Sequence, residues 1–293
     1  MKNFDIKKLT AFKIGGEITN VYFPKNIDEF CNIKDEYKVF GNLSNTLVSS
    51  CGYDGTVVLT DKMQYVEING NRVKAAAGIN GPKLSQMVAA VSLSGFEFMI
   101  GFPGSIGGEI AMNASANGQC ISDNLTSVTL FSKEKGVFKL TKDEMEFDYR
   151  TSICHKENYI ILEAEFELIP CDKSNIEKQM VDNMEFRRSH QPLLNLPNCG
   201  SIFKNPVGFS AGKLLDDIGA KALSVGGAKV WDNHANFIVN PNHNATSKDV
   251  LSLMVDMKQR VKDKFGIELV PEIIYLGNKD KEEENLCKIL YQK

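Results

Sequence analysis

The chain is organised around one stretch, Gly101–Gly118, which reads GFPGSIGGEIAMNASANG. Five of its eighteen residues are glycine, which adopts positive φ at little steric cost and lets a ligand approach the backbone closely. Successive backbone N–H groups in such a loop can form a concave site for an anion. The loop lacks the Gly-Lys-Ser/Thr of a Walker phosphate loop and the G-x-G-x-x-G spacing of the dinucleotide-binding fingerprint. By itself it leaves two interpretations open, a long surface turn or a site for an anionic ligand of unassigned class.

Length and composition describe a globular protein. The chain has 293 residues, of which 43% are hydrophobic and 24% are charged, enough for two domains with a sizeable core. Its net charge of −3 provides no basic field for nucleic acid or an anionic membrane. No apolar run approaches the ~20 residues that span a bilayer, and Met1–Phe12 lacks the apolar centre of a signal peptide. We expect a cytoplasmic protein with no nucleic-acid partner and no membrane insertion.

The cysteines predict neither a disulfide framework nor a zinc site, because they are odd in number, scattered and never spaced as C-x-x-C. We therefore expect no bound metal. Their positions are Cys31, Cys51, Cys120, Cys154, Cys171, Cys199 and Cys287.

Hydrophobic periodicity predicts helices and strands that mix without strict alternation, which is typical of an α+β fold. From residue 278 onward the chain is highly charged, and we expect a solvated tail or a loose helix. The predicted helices are 28–38, 81–94, 174–187, 211–218 and 246–265. The predicted strands are 10–16, 39–40, 57–59, 65–68, 73–77, 128–131, 137–140, 159–168, 237–239 and 267–276.

Ten short motifs in sequence order resemble the UDP-N-acetylenolpyruvoylglucosamine reductase family, flavoenzymes of cell-wall precursor synthesis. Each motif alone is common, but their order along residues 9–277 is specific. The first four are FKIGG (12–16), GNLSN (41–45), the stretch at 101–118 and FDYRTS (147–152). The other six are RRSHQP (187–192), CGSIFKNP (199–206), AGKLLDDIG (211–219), GGA (226–228), HANFIVN (234–240) and PEI (271–273).

The resemblance implies an enzyme, a fold and a reaction. The fold would be α+β, with a two-lobed FAD-binding domain of the vanillyl-alcohol-oxidase (PCMH) type at 1–172, a mixed α/β substrate domain at 173–277 and a charged tail at 278–293. The reaction would reduce UDP-N-acetylglucosamine enolpyruvate to UDP-N-acetylmuramate, an oxidation–reduction on a CH–CH bond. Its cofactor would be noncovalent FAD, NADPH would be the hydride donor, and the protein is expected to be a monomer.

The same resemblance assigns residues to roles. Arg150 would bind the substrate carboxylate, because a guanidinium pairs naturally with one. Ser201 would donate the proton to C2, and Glu272 would hydrogen-bond the enolate-like intermediate as a neutral acid with a raised pKa. Without the motifs, each would be an ordinary surface arginine, turn serine or solvated glutamate. The predicted substrate-binding residues are Lys204, Asn205 and His234. The predicted FAD-binding residues are Gly41, Asn42, Leu43, Ser44, Asn45, Pro103, Gly104, Ser105, Gly107, Gly108, Asn113, Ser115 and Gly118.

Three residues depart from the family motifs. Leu43 stands where the first loop usually has its second glycine, and Ser115 and Asn117 replace a glycine and a tyrosine in the A-G-A-Y-G ending of the second loop. If position 43 requires positive φ, a leucine there costs ~1 kcal/mol or more, and replacing Leu43 by glycine should tighten FAD binding.

Two further hypotheses remain open at this point. One is a non-catalytic relative that binds flavin or a nucleotide sugar, which the three departures favour. The other is a flavin oxidase of the same broader fold. A covalently linked flavin histidine would favour the oxidase, but the four histidines, at 155, 190, 234 and 243, all lie outside the N-terminal loops.

Overall fold

The computed structural model describes residues 1–292. These residues form the helices α1 (Ile27–Cys31), α2 (Gly81–Ala90), α3 (Ile106–Ala111), α4 (Ile153–Glu157), α5 (Lys173–His190), α6 (Ala211–Asp217), α7 (Ser247–Phe265) and α8 (Lys281–Tyr291). The strands are β1 (Lys2–Asp5), β2 (Glu17–Tyr22), β3 (Tyr37–Phe40), β4 (Thr46–Val48), β5 (Tyr53–Leu59), β6 (Val66–Asn69), β7 (Arg72–Ala76), β8 (Leu93–Ser94), β9 (Ser115–Ala116), β10 (Gln119–Cys120), β11 (Leu125–Ser132), β12 (Gly136–Thr141), β13 (Ile160–Glu167), β14 (Ile169–Pro170), β15 (Ser224–Val225), β16 (Ala228–Val230), β17 (Ile238–Val239) and β18 (Ile274–Leu276). Within this part of the chain, no helix is both long enough and apolar enough to cross a membrane.

The chain divides into two compact units, and neither is continuous in sequence. Unit 1 comprises Met1–Val21, Leu43–Thr56 and the described residues from Arg188 onward. Unit 2 comprises Tyr22–Asn42 and Val57–Arg187. The boundary between two successive domains at residue 172 stays a prediction, while the α+β class is confirmed by the mixture of helices and antiparallel sheets.

Unit 2 is built on a five-stranded antiparallel sheet in the order β12-β11-β13-β7-β6. The predicted strands 65–68 and 73–77 are confirmed and pair as a hairpin at its edge: Ile68 pairs with Val73 across a turn in which Gly70 has φ +61°. Alternate sheet residues such as Val73 and Val128 are buried in one core with Leu84 of α2. Each fully buried aliphatic side chain of this kind contributes about 1.5–3 kcal/mol.

Unit 1 combines the three-stranded sheet β15-β16-β17 with the parallel pair β4–β18 and the helices α6, α7 and α8. A capping box begins α7, because the Thr246 side chain accepts from Asp249 N–H and the Asp249 carboxylate accepts from Thr246 N–H. The apolar face of α7, including Met254 and Met257, is fully buried. Gly266 ends the helix with φ +68°.

Four predicted elements are wrong in extent. The predicted helix 81–94 ends at Ala90, and its last two residues form β8. Residues 10–16 form turns and no strand, because Thr10 Oγ1 donates to Ile14 O at 2.8 Å and Lys13 has φ +56°. The predicted helix 28–38 ends at Cys31, and β3 follows. The predicted final strand 267–276 is reduced to β18, since Pro271 has no N–H to donate to a strand ladder.

The charged C-terminal segment is a packed helix and not a solvated tail. Asp280 caps α8 by accepting from the N–H groups of Glu282 and Glu283. The Glu283 carboxylate is buried and accepts hydrogen bonds from Ser247 Oγ and from the Tyr275 hydroxyl. At the other end of the helix, Leu290 is 1% exposed. Burial on one face therefore orders a sequence whose composition alone is typical of solvent.

Candidate active site

The glycine-rich stretch 101–118, called the organising loop below, enters α3 through backbone hydrogen bonds within unit 2. Ile106 N–H donates to Ile79 O at 2.8 Å, and Gly107 N–H donates to Ala77 O at 2.9 Å. A Cβ on Gly107 would lie 2.9 Å from Ala77 Cβ, so this glycine is required by close packing. Two amides of the loop are thus used inside the protein and are not donors for a ligand.

Within unit 2, the start of the first glycine loop (41–45) contacts the organising loop (101–118). Asn42 Nδ2 donates to Pro103 O, and a Cβ on Gly41 would lie 2.0 Å from Ser105 Oγ. No other residue type fits at Gly41 without displacing Ser105. The structure therefore brings Gly41 and Asn42 together with Pro103–Ser105, as the predicted FAD site requires.

The polar groups in this region fit an anionic cofactor such as FAD. Ser105 Oγ is buried and has no hydrogen-bond partner within residues 1–292. No hydrogen bond between described residues uses the N–H of Gly104 or Gly108. A hydroxyl and backbone amides are the donors that suit a pyrophosphate. These groups would hold FAD.

The remainder of the first loop lies in unit 1. Leu43 is 2% exposed and has φ +57°, so the position does require the conformation that glycine adopts most easily. Asn45 is tied to the segment of Glu272: its Nδ2 donates to Glu272 O at 3.1 Å, and Ile274 N–H donates to Asn45 O at 3.0 Å. Asn45 therefore fixes the backbone next to a predicted catalytic residue.

Ser201 and Glu272 lie on neighbouring segments of unit 1. Glu272 N–H donates to Ile202 O at 2.8 Å, one residue after Ser201. On the other side, Ser201 forms an isolated β-bridge with Phe237. The predicted proton donor is thus held on a backbone that is paired on both sides, and both Ser201 and Glu272 are half-buried.

The backbone after Ser201 is clamped by a buried side chain. Asn236 Oδ1 accepts from Phe203 N–H at 3.0 Å, and Asn236 Nδ2 donates to Phe203 O at 2.8 Å. Cys199 is also buried, its Sγ lies 3.4 Å from Thr46 O, and burial raises the pKa of its thiol. Cys199 is accordingly a packing residue.

The predicted substrate-binding residues are also in unit 1, and each makes hydrogen bonds to neighbouring residues of that unit. Lys204 N–H donates to Val270 O, and Asn205 Oδ1 accepts from Ala211 N–H, the first residue of α6. The ring of His234 accepts a hydrogen bond from Asn236 N–H at Nδ1, at 3.1 Å. Burial is the main cause that lowers the pKa of His234, which favours the neutral imidazole. Their contact with substrate stays a prediction.

Arg150 lies in unit 2, on a tight turn. Asp148 and Thr151 pair in an isolated bridge, and Arg150 between them has φ +54°. Its Nη1 donates to Ser115 Oγ at 3.0 Å. Asn113 Nδ2 donates to Asp148 O at 3.3 Å. Two residues that we predicted to bind FAD, Asn113 and Ser115, are therefore attached to the turn of the predicted carboxylate-binding arginine.

One residue of the loop has no place in the sequence prediction. The Glu109 side chain is 5% exposed, and neither carboxyl oxygen has a hydrogen-bond partner within the described chain. A Cβ on Gly81 would lie 2.5 Å from Glu109 Oε1, and one on Gly104 would lie 2.8 Å from the same atom. Burial raises the pKa of Glu109 to about 8. From the sequence, a glutamate in a glycine-rich loop is expected to be exposed to solvent. Only the glycines at 81 and 104, which leave room for its carboxyl group, could have indicated that it is buried.

Family profiles and relatives show the family of this chain. Residues 25–140 match the profile "FAD binding domain", and residues 191–276 match "UDP-N-acetylenolpyruvoylglucosamine reductase, C-terminal domain". A curated UDP-N-acetylenolpyruvoylglucosamine reductase of Caldanaerobacter subterraneus is 38% identical over 284 residues, covering 94% of this chain and 93% of the relative. The same-named protein of Clostridioides difficile is 38% identical over 280 residues, covering 93% and 91%.

A solved structure gives the same answer at the level of the fold. The UDP-N-acetylenolpyruvylglucosamine reductase of Thermus caldophilus superimposes with a TM-score of 0.79 at 31% identity, covering 93% of this chain and 97% of that one. The fold and the loops around Gly41 and Ser105 define an FAD-dependent oxidoreductase. The chain belongs to the UDP-N-acetylenolpyruvoylglucosamine reductase family. The resemblance noted in the sequence is thereby confirmed, together with the fold, the FAD cofactor and the reductase activity that it implies.

Proposed function

We propose that this chain reduces UDP-N-acetylglucosamine enolpyruvate to UDP-N-acetylmuramate in peptidoglycan precursor synthesis. When bound, FAD supplies the transfer of reducing equivalents from NADPH to the enolpyruvyl double bond. The chain itself has to bind the UDP-sugar, orient it, stabilise negative charge and deliver a proton. The observation that carries the proposal is the pairing of Glu272 N–H with Ile202 O, which places Glu272 and Ser201 on neighbouring segments.

Arg150 binds the carboxylate of the enolpyruvyl group in this proposal. Negative charge builds on that carboxylate as the double bond is reduced, so a fixed guanidinium stabilises the transition state more than the ground state. The turn that carries Arg150 is held at Asp148 O by Asn113. Positive φ at a residue with a long side chain costs of order 1 kcal/mol and persists where the surroundings fix it.

Ser201 donates the proton to C2, and Glu272 supports the enolate-like intermediate. An unassisted serine hydroxyl is a weak acid, so its position has to be fixed by its neighbours. The β-bridge to Phe237 and the clamp of Asn236 on Phe203 supply this for the backbone of Ser201. Lys204, Asn205 and His234 bind the UDP-sugar in the same proposal, residues 1–172 form the FAD domain, and the protein is a cytoplasmic monomer.

The test is to separate the two half-reactions in Ser201→Ala. Flavin reduction by NADPH does not need the hydroxyl and should stay near the wild-type rate. Reoxidation by the enolpyruvyl substrate should fall by about 10²- to 10⁴-fold, the usual contribution of positioned proton transfer. Ser201→Cys should retain part of the activity, because a thiol can still donate. Stopped-flow absorbance of the flavin measures both steps.

Two outcomes contradict the proposal. Unchanged turnover in Ser201→Ala would make Ser201 a turn residue. A wild-type protein that purifies colourless and takes up no added FAD would favour the non-catalytic relative.

A further inference from the structure

The end of the organising loop forms a small β-hairpin of its own. β9 pairs with β10 so that Ser115 lies opposite Cys120. The two residues between the strands, Asn117 and Gly118, have φ +53° and +79°. Positive φ at both central residues is the feature of a type I′ turn, and Asn-Gly is the pair that favours it most. The hairpin is thus a defined element with a fixed register.

The hairpin is anchored at both ends. At the turn, Asn117 Nδ2 donates to Asn183 Oδ1 of α5 at 2.8 Å, and Asn183 is 7% exposed. At the open end, Ile121 N–H donates to Ala114 O at 3.0 Å. A residue on β9 is therefore held from the turn and from the base, and its side chain has a fixed direction.

The side chain held in this way contacts Arg150. Ser115 Oγ accepts from Arg150 Nη1 at 3.0 Å, across 35 residues of sequence. The serine hydroxyl is uncharged, so the contact orients the guanidinium and brings no negative charge beside it. An arginine side chain carries about 2 kcal/mol of rotamer entropy, and fixing it before substrate arrives lowers the cost of binding.

We propose that Ser115 is a positioning residue, which holds the Arg150 guanidinium in the orientation that receives the substrate carboxylate. The inference rests on the proposed role of Arg150. It also reassigns Ser115, which the sequence places among the FAD-binding residues. Ser115 acts through Arg150, so its removal should affect the substrate step and leave the cofactor steps intact.

The test compares Ser115→Ala, Ser115→Thr and the control Ser132→Ala in FAD-loaded enzyme. Ser132→Ala is the same chemical change at a serine whose Oγ accepts from Lys135 N–H in an exposed turn. Stopped-flow absorbance gives flavin reduction by NADPH and reoxidation by UDP-N-acetylglucosamine enolpyruvate. Titration of the FAD-free protein gives the Kd for FAD.

We expect Ser115→Ala to slow reoxidation at low substrate concentration by about 10- to 100-fold, the range for losing a hydrogen bond to a charged group. Reduction by NADPH and the Kd for FAD should stay within about twofold. Ser115→Thr should recover most of the loss because it keeps the hydroxyl. In an Arg150→Lys background, Ser115→Ala should add nothing, since a residue that acts through Arg150 has no effect once the guanidinium is gone.

Three results would overturn the inference. Equal weakening of FAD binding and of reoxidation would make Ser115 a cofactor residue. Full additivity with Arg150→Lys would mean that Ser115 acts independently of Arg150. No effect of Ser115→Ala in an active enzyme would make the contact incidental. If instead wild-type enzyme reduced by NADPH is not reoxidised by the enolpyruvyl substrate, the proposed function itself is wrong, and the inference falls with it.

Discussion

Glu109 should make the protein less stable as the pH rises, and Glu109→Gln should remove that loss. The carboxyl is enclosed between Gly81 and Gly104 without a hydrogen-bond donor among the described residues, so the fold accepts the neutral acid and rejects the carboxylate. Burial raises its pKa from 4.5 to about 8. Between these two values the folded state holds a proton that the unfolded state has released.

The sign and the magnitude follow from linkage. A carboxyl whose pKa is raised in the folded state contributes its full stability below the unfolded pKa and loses it as the pH rises toward the folded one. The free energy of unfolding should fall by about 1.4 kcal/mol per pH unit. Over the interval from pH 4.5 to about pH 8, the total loss is about 5 kcal/mol, and above pH 8 the curve should be flat.

Urea unfolding of the FAD-free wild type and of Glu109→Gln at pH 5, 6, 7, 8 and 9 measures this effect. Glutamine keeps the shape of glutamate and cannot ionise, so the stability difference should grow in favour of the variant up to about pH 8. The control is Glu97→Gln, because Glu97 is equally buried but accepts from Gly95 N–H at 2.8 Å; that variant should be destabilised. Parallel stability curves for the wild type and Glu109→Gln would refute the reasoning.

Two further predictions concern unit 1. Leu43 is 2% exposed and has φ +57°, so both Leu43→Gly and Leu43→Ala should lose about 1.5–3 kcal/mol of burial. Leu43→Gly should still be about 1 kcal/mol more stable than Leu43→Ala, because glycine tolerates that φ. Thermal unfolding ranks the two variants, and the reverse order would contradict the strained conformation. Lys258 Nζ donates to Ile289 O and Leu290 O at 3.1 Å, so Lys258→Met should lower the free energy of unfolding by about 1.5–3 kcal/mol. Limited proteolysis of this variant should cut α8 first. The control Lys248→Met removes an exposed ion pair with Glu282 and should be cleaved like the wild type.

The surroundings of Leu43 add a stability cost that the sequence motif does not show. The motif indicates a glycine position, and the structure confirms the positive φ that such a position requires. It also buries the leucine side chain, which no local pattern reveals. Because the lost burial exceeds the relieved strain, Leu43→Gly should lower the free energy of unfolding. Tighter binding of FAD by this variant stays a prediction.

The helices and strands that were predicted well are those stabilised by interactions between residues close in sequence. The strands on either side of the Asn-Gly turn between β6 and β7 are close to where the sequence predicts them. The same holds for α7, which a capping box begins. The strands predicted at 10–16 and 267–276 are wrong in extent because the apolar residues there are buried by packing and not by strand pairing. Phe12 and Leu269, for example, are both fully buried in the core of unit 1, outside any strand.

For the predicted site, the structure shows only which of its residues lie close together. The approach of Gly41 to Ser105 and the pairing beside Ser201 agree with the motifs. The enclosure of Glu109 depends on Gly81, which lies 28 residues earlier, and the Ser115–Arg150 bond spans 35 residues. The family motifs assign no role to Glu109 or Gly81 and no contact between Ser115 and Arg150, so these two contacts follow from the fold alone.

The two departures from the family motif at the end of the organising loop, Ser115 and Asn117, belong to the same hairpin and act together. Asn117 occupies a position with φ +53°, which asparagine tolerates far better than a bulky aromatic residue does. The turn that it allows sets the register in which Ser115 meets Arg150. Neither change introduces a charge or an unpaired buried group beside Gly41 and Ser105. We therefore expect the hairpin to leave FAD affinity intact and its effect to be confined to the orientation of the arginine.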